Sequence, residues 1–468
     1  MSTAPRSARS GAAAGSALAR RFRVRERGST VRREILGGAA TFLTMSYIVF
    51  VNPAILSAAG FPFEAVAVAT ALAAAVFTAA MGLLTNLPLA LASGLGLNAI
   101  VAFDIVLGRE LAPEVGMACV VIEGALAVVL VLAGLRDAVL RAIPEALKLG
   151  IGVGIGLFIT LVGLREGGIV VNDPATGIGL GDISAGPPLV ALGGIFAAAA
   201  LTAANVRGAI LLGVATSTLL GLVFGVMDGP DGVARLPQGD DFSTIGDALR
   251  PSALEAALTV ALIPVIFTLF MTDFFDTVGT AFGVTKAAGL VGPDGELPAG
   301  RRLLLVDSAA ALGGGAMGVS SVTTYVESGA GVAEGARTGL AALVTAALFA
   351  LTIFLVPIVA LAGQGVVLGE ATVHPAVAPA LVMVGYLMLH LVAAVDWSRT
   401  EDALPAFLVI AGIPLTFSIA AGIGLGVIGH VLVMGVKGRA RDVHPLMWAL
   451  VPLFAAFLLS DWLSREVF

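Results

Sequence analysis

The stretch "GGGAMGVSSVTTYVESGAGVAEG" (313–335) decides how this chain folds. Its glycines and hydroxyl residues break any continuous helix, yet it carries a carboxyl, Glu327, between long apolar segments on either side. A second interrupted stretch, "LASGLGLNAIVAF" (91–103), has Asn98 in the corresponding place, since 98 plus 229 is 327. The same shift carries Tyr47 onto Asp276. Broken helices leave backbone N–H and C=O groups open, which a membrane tolerates only where they line a cavity or meet protein partners. Two short, glycine-interrupted segments at matched places in two halves are the sequence mark of a transporter's midplane site. The bland alternative is a pair of internally satisfied packing irregularities.

Working outward, the composition requires a membrane. The 468 residues are 58% hydrophobic and 12% charged, with a mean hydropathy of +1.01. An ordinary globular domain carries about 25% charged residues, so this chain has too little charge to cover a soluble surface. That excludes a cytosolic enzyme, a nucleic-acid binder and a disordered chain. A net charge of −6 offers no basic field for phosphates. The single cysteine, Cys119, excludes a disulfide framework and a thiolate cluster. No metal-ligand spacing, nucleophile elbow or phosphate loop is present, so neither enzyme, metal nor cofactor is expected.

A span needs about 20 apolar residues. The apolar runs read as 34–56, 64–86, 88–107, 114–135, 144–164, 188–205 and 208–227, then 256–285, 302–318, 319–334, 338–363, 375–395, 403–417 and 418–436. A further stretch, 446–464, is a fifteenth span or an interfacial helix. The expectation is an all-α polytopic protein of about fourteen transmembrane segments. Its domains are a tail (1–33), a first seven-span repeat (34–227), an acidic external loop (228–255), a second repeat (256–436) and a C-terminal segment (437–468).

Charge placement supports the count. Nine of the 26 basic residues lie in the tail: Arg6, Arg9, Arg20, Arg21, Arg23, Arg25, Arg27, Arg32 and Arg33. A cytoplasmic tail accounts for this by the positive-inside rule; a transit peptide is the other reading of an Arg-rich, acid-poor start. Counted from a cytoplasmic start, the inner loops hold Arg136, Arg141, Lys148, Arg207, Lys286, Arg301, Arg302, Arg337 and Arg399. The outer loop 228–255 is acidic, with Asp228, Asp231, Asp240, Asp241 and Asp247. Seven spans per half is odd, so a duplicated unit must be inverted in the membrane, as in many transporters. "IPEALKLGIGVG" (143–154) faintly echoes "HPAVAPALVMVG" (374–385).

Ionisable side chains at membrane depth cost at least about 2.5–3.5 kcal/mol each, and they cluster. In "ALIPVIFTLFMTDFFDTVGTAFGVT" (261–285), Asp273, Asp276, Thr277 and Thr280 are spaced i, i+3, i+4, i+7 and share one helical face. Glu327 supplies the second acid. Glu123, Asp307 and Asp104 read as paired or hydrogen-bonded inside the bundle, and His390 and His430 as packed or interfacial. Gly150, Gly152, Gly154 and Gly156 follow no strand and sit in a span, so they read as close helix packing and not as a dinucleotide loop.

At these residues the chain resembles the AzgA-like hypoxanthine/guanine/adenine permeases of the nucleobase/ascorbate transporter superfamily. The resemblance rests on "REILGGAATFLTMSYIVFVNPAIL" (33–56), "GLGLNAIVAF" (94–103), "FFDTVGTAFG" (274–283), "SSVTTYVESGAGVAEGARTGL" (320–340) and "ALPAFLVIAGIPLTFSIAAGI" (403–423). It implies a 7+7 inverted fold with core and gate regions and short strands at spans 3 and 10. It further implies homodimeric assembly and proton-coupled uptake by elevator-like alternating access. Carried over by motif, its binding acids fall on Asp276 and Glu327, its span-3 asparagine on Asn98, and an acid before "PAF" on Asp402. The basic tail and 446–464 lie outside the resemblance.

A purine is flat and neutral with neighbouring N–H donors and ring acceptors. A carboxylate takes two adjacent N–H groups side by side, which selects Glu327, with Asn98 nearby as donor and acceptor. Phe274, Phe275 or Tyr325 would stack on the ring, and N–H groups near 323–326 would face ring acceptors. Asp273 and Thr280 are secondary candidates. Burial and a second carboxyl both favour the protonated form, so Asp276 and Glu327 together would hold the coupling proton. The expected partners are a purine nucleobase, a proton, the lipid bilayer and a second copy of the chain, in the inner (plasma) membrane. The alternatives are a xanthine/uracil or small-anion transporter on the same fold, a channel, and a membrane-embedded enzyme. An anion site would require a cation, and the central segments contain no Lys or Arg.

Overall fold

The computed structural model describes residues 17, 19–134, 143–230, 232–291, 297–369 and 371–466, with 460–466 by backbone alone. Arg6, Arg9, Arg136, Arg141 and Asp231 lie outside the described residues. The first half runs α1 Val31–Ser57, α2 Phe63–Thr85, β1 Leu91–Ser93, α3 Leu95–Leu107, α4 Pro113–Ala133, α5 Glu145–Glu166, β2 Val170–Val171, β3 Gly179–Leu180, α6 Gly186–Ala203 and α7 Ala209–Val223. The second runs α8 Val260–Ala287, α9 Gly300–Ala316, β4 Val322–Thr324, α10 Ser328–Ala333, α11 Gly339–Ala362, β5 Val366–Leu368, β6 Ala371–Val373, α12 Ala378–Ala394, α13 Thr400–Thr416 and α14 Ile419–Val436, followed by α15 Pro445–Glu466. Among the described residues, eight of these helices are long and apolar enough to cross a membrane. Helix boundaries fall where local chemistry puts them: Thr30 caps α1, Pro113 opens α4, and Gly134 ends α4 in the left-handed region at φ 72.

The two interrupted segments solve one problem together. β1 and β4 pair antiparallel, with Leu91 opposite Thr324, Ala92 opposite Thr323 and Ser93 opposite Val322. Each strand supplies the backbone partners that the other's broken helix lacks, deep in an apolar fold. α3 and α10 then continue as helices from the ends of the strands.

The packing scheme is unchanged when each helix is exchanged for the one seven places on. α2 packs on α11 as α9 packs on α4, and α1 on α11 as α8 on α4. α5 packs on α13 as α12 on α6, and α6–α7 matches α13–α14. This is the inverted repeat, realised in contacts. It divides the bundle into a core of α1–α4 with α8–α11, and a gate of α5–α7 with α12–α14. α15 packs on α14 of the gate and also touches α8 of the core.

Glycine allows the closest crossings. A Cβ on Gly339 of α11 would lie 2.0 Å from the Gly82 carbonyl of α2, and one on Gly315 of α9 would lie 2.8 Å from the Val121 nitrogen of α4. These are symmetry-related contacts of the core. In the gate, Gly150 and Gly154 of α5 face Ala406 and Ile413 of α13, while Gly156 faces Gly385 and Met388 of α12. The alternate glycines of α5 thus serve two neighbours, the packing that their spacing predicts.

The basic segment before α1 does not stand apart from the bundle. Phe22 and Val24 are buried against Leu340. Arg27 donates to the Asn86 and Arg337 carbonyls at 2.6 and 3.1 Å, and Ser29 to the Gly335 carbonyl at 2.9 Å. Glu34, fully buried, accepts the Arg337 and Thr338 backbone N–H groups at the start of α11. An acid at a helix N-terminus is stabilised by the helix dipole.

Candidate functional site

Between core and gate lies a cavity of about 670 Å3. Both interrupted segments reach it: Gly94 to Leu97 at the start of α3, and Thr324 to Glu327 ahead of α10. From α8 it receives Thr272, Phe275, Asp276 and Thr280, and from the bend in α1, Tyr47. The gate side is apolar (Ile155, Met388, Leu391), with Lys148 and Glu145 at the start of α5 and His390 at the end of α12. Beyond the α3 side of the cavity, Phe103, Phe158 and Phe417 pack edge-to-face with centroids 4.9–5.9 Å apart. There the core's Asp104 accepts the Ser418 hydroxyl and the Ala420 N–H, both at 3.0 Å, and so caps gate helix α14.

Glu327 precedes α10, and its Oε1 accepts the Tyr47 hydroxyl at 2.5 Å. Asp276 lines the same cavity with its carboxyl, and Thr280, one turn on, with its hydroxyl. Phe275 lines the wall with the Lys148 ammonium 4.6 Å from its ring centre. Tyr325 lies nearby, its hydroxyl donating to the Ser93 carbonyl at 2.5 Å and its N–H to the Ala90 carbonyl. That N–H is committed to the strand pairing and does not face a ligand.

Other candidates lie elsewhere. The polar stripe of α8 straddles an edge: Asp276 and Thr280 face the cavity, while Asp273 and Thr277 turn inward to Ser321 and Asp307. Residues three apart on a helix differ by about 60° in direction, enough to divide a stripe between two environments. Asn98 is fully buried behind the cavity, with Oδ1 accepting the Ser93 hydroxyl at 2.8 Å and Nδ2 without a partner. Phe274 stacks on Phe270 within the core. Asp402 sits at the start of α13 beside Arg399, 3.4 Å away, and outside the cavity wall.

Sequence reasoning passed over several wall residues, Tyr47 and Lys148 among them. Tyr47 carried a signal, since the repeat places it opposite Asp276. Lys148, assigned to an inner loop by its charge, stands in the cavity wall because α5 begins one turn before it. A cation therefore faces this cavity, contributed by the gate and not by the central segments.

A 7+7 helical bundle with paired half-broken segments and a cavity carrying carboxyls between two helical bodies defines a membrane transporter. The profile of the permease family matches residues 32–425. The chain belongs to that family, the nucleobase/ascorbate transporters, whose members are transporters and not enzymes. It is 38% identical to the guanine/hypoxanthine permease PbuO of Bacillus subtilis (strain 168), over 92% of this chain and 98% of that one. It is 38% identical to the adenine permease AdeP of Escherichia coli (strain K12), over 93% and 95%. Among solved structures, the transmembrane domain of the cyanobacterial bicarbonate transporter BicA superposes with a TM-score of 0.57 at 17% identity, covering 83% of this chain and 96% of that one. At that identity the likeness is one of fold.

Proposed function

We propose that this protein is a proton-coupled purine nucleobase permease taking up hypoxanthine, guanine or adenine. The observation that carries the reading is the pair of carboxyls, Glu327 and Asp276, facing one cavity beside the Phe275 ring. The names of the relatives point to the same substrates. Glu327 accepts adjacent N–H groups of the base, Phe275 and Tyr325 flank its plane, and Asp276 exchanges the coupling proton with Glu327 as partner. Asn98 acts from behind, holding Ser93 at the end of β1. Asp273, Thr280 and Asp402 have supporting roles.

Transport follows elevator-like movement of the core (α1–α4, α8–α11) against the gate, within a homodimer in the inner membrane, with the N-terminus cytoplasmic. The cavity's Glu145–Lys148–His390 end is then its cytoplasmic mouth. The functional units are the repeats 34–227 and 256–436, the external loop 228–255, and the tail and C-terminal segment. A small-anion reading draws on Lys148, but two carboxyls facing the same space oppose an anion.

The test is uptake of labelled hypoxanthine by cells expressing the protein, in competition with adenine, guanine, xanthine and uracil, with and without an uncoupler. Competition by purines and collapse with the uncoupler are expected. Uptake insensitive to all four bases would overturn the reading, and uptake indifferent to the uncoupler would make the protein a channel or uniporter.

A further inference from the structure

Behind the cavity lies a second group of carboxyls. Glu123, midway along α4, is fully buried, and neither of its carboxyl oxygens has a hydrogen-bond partner. Asp307 lies on α9, which packs along α4, and is its electrostatic neighbour; Asp273 on α8 interacts electrostatically with both, and each is buried. Of the other charged groups on elements packed against α4, Arg109 lies over the Phe457 ring, Asp104 caps α14, Asp247 pairs with Arg250, and Glu255 and Arg302 are exposed; Asp276 faces the cavity, Lys286 lies by the Phe282 ring, and Arg301 donates to the Leu132 carbonyl.

Asp307 is joined to the cavity by hydroxyls. Its Oδ1 accepts the hydroxyl of Thr324, a wall residue, at 2.9 Å, and its Oδ2 accepts that of Thr277 at 2.7 Å. The Thr277 and Thr323 hydroxyls are 2.7 Å apart, and Asp273 accepts the Ser321 hydroxyl at 3.0 Å. Two O–H donors stabilise Asp307 as an anion. Glu123 has no donor at all, and a buried carboxylate without one is prohibitively costly, so Glu123 is the neutral acid.

We propose that Glu123 and Asp307 form a second proton site, in series with the cavity carboxyls and filled through the Thr324 hydroxyl. A proton arrives at the Thr324 oxygen as that hydroxyl's own proton passes to Asp307, and Asp307 hands it to Glu123 when the unbonded Glu123 carboxyl turns toward it. Only O–H bonds break and form, and no electrons are exchanged. The site holds the proton out of contact with substrate, so that a base can leave without carrying it back. Ionisable groups inside a span commonly mark such relays.

The proposal rests on the permease reading for its transport consequence but not for its first test. In infrared spectra of the purified protein at neutral pH, wild type shows the carbonyl stretch of a neutral carboxylic acid, of which Glu123→Gln loses a component that Asp276→Asn keeps. An identical band in Glu123→Gln overturns the proposal. Absence of the band in wild type overturns it as well, whatever the folding of the variant. In proteoliposomes with an imposed pH gradient, Glu123→Gln should retain hypoxanthine exchange while its accumulation falls to equilibrium. Accumulation equal to wild type by that variant overturns the proposal, whereas failure of wild type to exchange any purine, with the infrared difference intact, overturns only the nucleobase reading.

Discussion

The Tyr47 hydroxyl donates to Glu327 Oε1 at 2.5 Å, tying the bend of the first span to the residue that starts the tenth. The Tyr47 hydroxyl takes one lone pair of that oxygen, so both carboxyl oxygens keep acceptor capacity for adjacent N–H groups of a base. The geometry makes Tyr47 an orienting group for Glu327.

Tyr47→Phe removes the donor without removing the ring. A hydrogen bond to a charged group is worth about 1.5–3 kcal/mol, so KM for hypoxanthine should rise by roughly ten- to a hundredfold, as 1.4 kcal/mol is a factor of about ten. Glu327→Ala should abolish saturable uptake. Equal hypoxanthine uptake by Glu327→Ala and wild type would remove the recognition role of that residue.

Asp276→Asn keeps the shape of the wall and removes its titratable group. Exchange of base across a membrane without a gradient should persist, and gradient-driven accumulation should fail. Full accumulation by this variant would show that the coupling proton resides elsewhere.

Gly339→Ala places a methyl against the Gly82 carbonyl, with backbone on both sides and nothing flexible to yield. Overpacking of this kind costs about 1–3 kcal/mol, and thermal unfolding in detergent should report it as a lower Tm. Gly435→Ala is the control, since nothing lies within 4 Å of its added Cβ. A matching loss in both variants would contradict the account of the α2–α11 crossing.

In the loop 228–255, the Arg235 guanidinium binds Asp241 through two contacts of 2.5 and 2.7 Å and reaches Glu64 at 2.6 Å. Hydrogen bonding from Arg235 holds the Asp241 carboxyl below the usual carboxylate range. Its folded value is depressed, so the contribution is present above the unfolded range of about 4 and disappears as pH falls through the lower folded value. Tm measured from neutral to acid pH should therefore drop less in Arg235→Ala than in wild type. Parallel pH profiles would contradict the clasp.

Much of this was legible in the order of residues. The low charge required a membrane, the apolar runs marked the helices, and the matched interruptions at 91–103 and 313–335 located the cavity. Asp276 and Glu327 stood out because a carboxyl in an apolar run is costly and demands an explanation. The side of a helix was less legible. The α8 stripe read as one face, and only packing showed that Asp273 and Thr277 turn inward, because a helix edge divides directions that spacing treats as equal.

The sequence by itself determined the class, the succession of apolar helices in two matched halves and the two acids that stand among them, since each follows from hydropathy and the energy of charge in lipid. The tertiary structure alone decided which groups meet. It paired β1 with β4 across 231 residues, brought Lys148 from an apparent loop into the cavity wall, turned Asn98 away from it, and left Glu123 unpartnered beside Asp307. Those relations depend on contacts between distant segments, where a direction and a distance matter and local pattern carries neither.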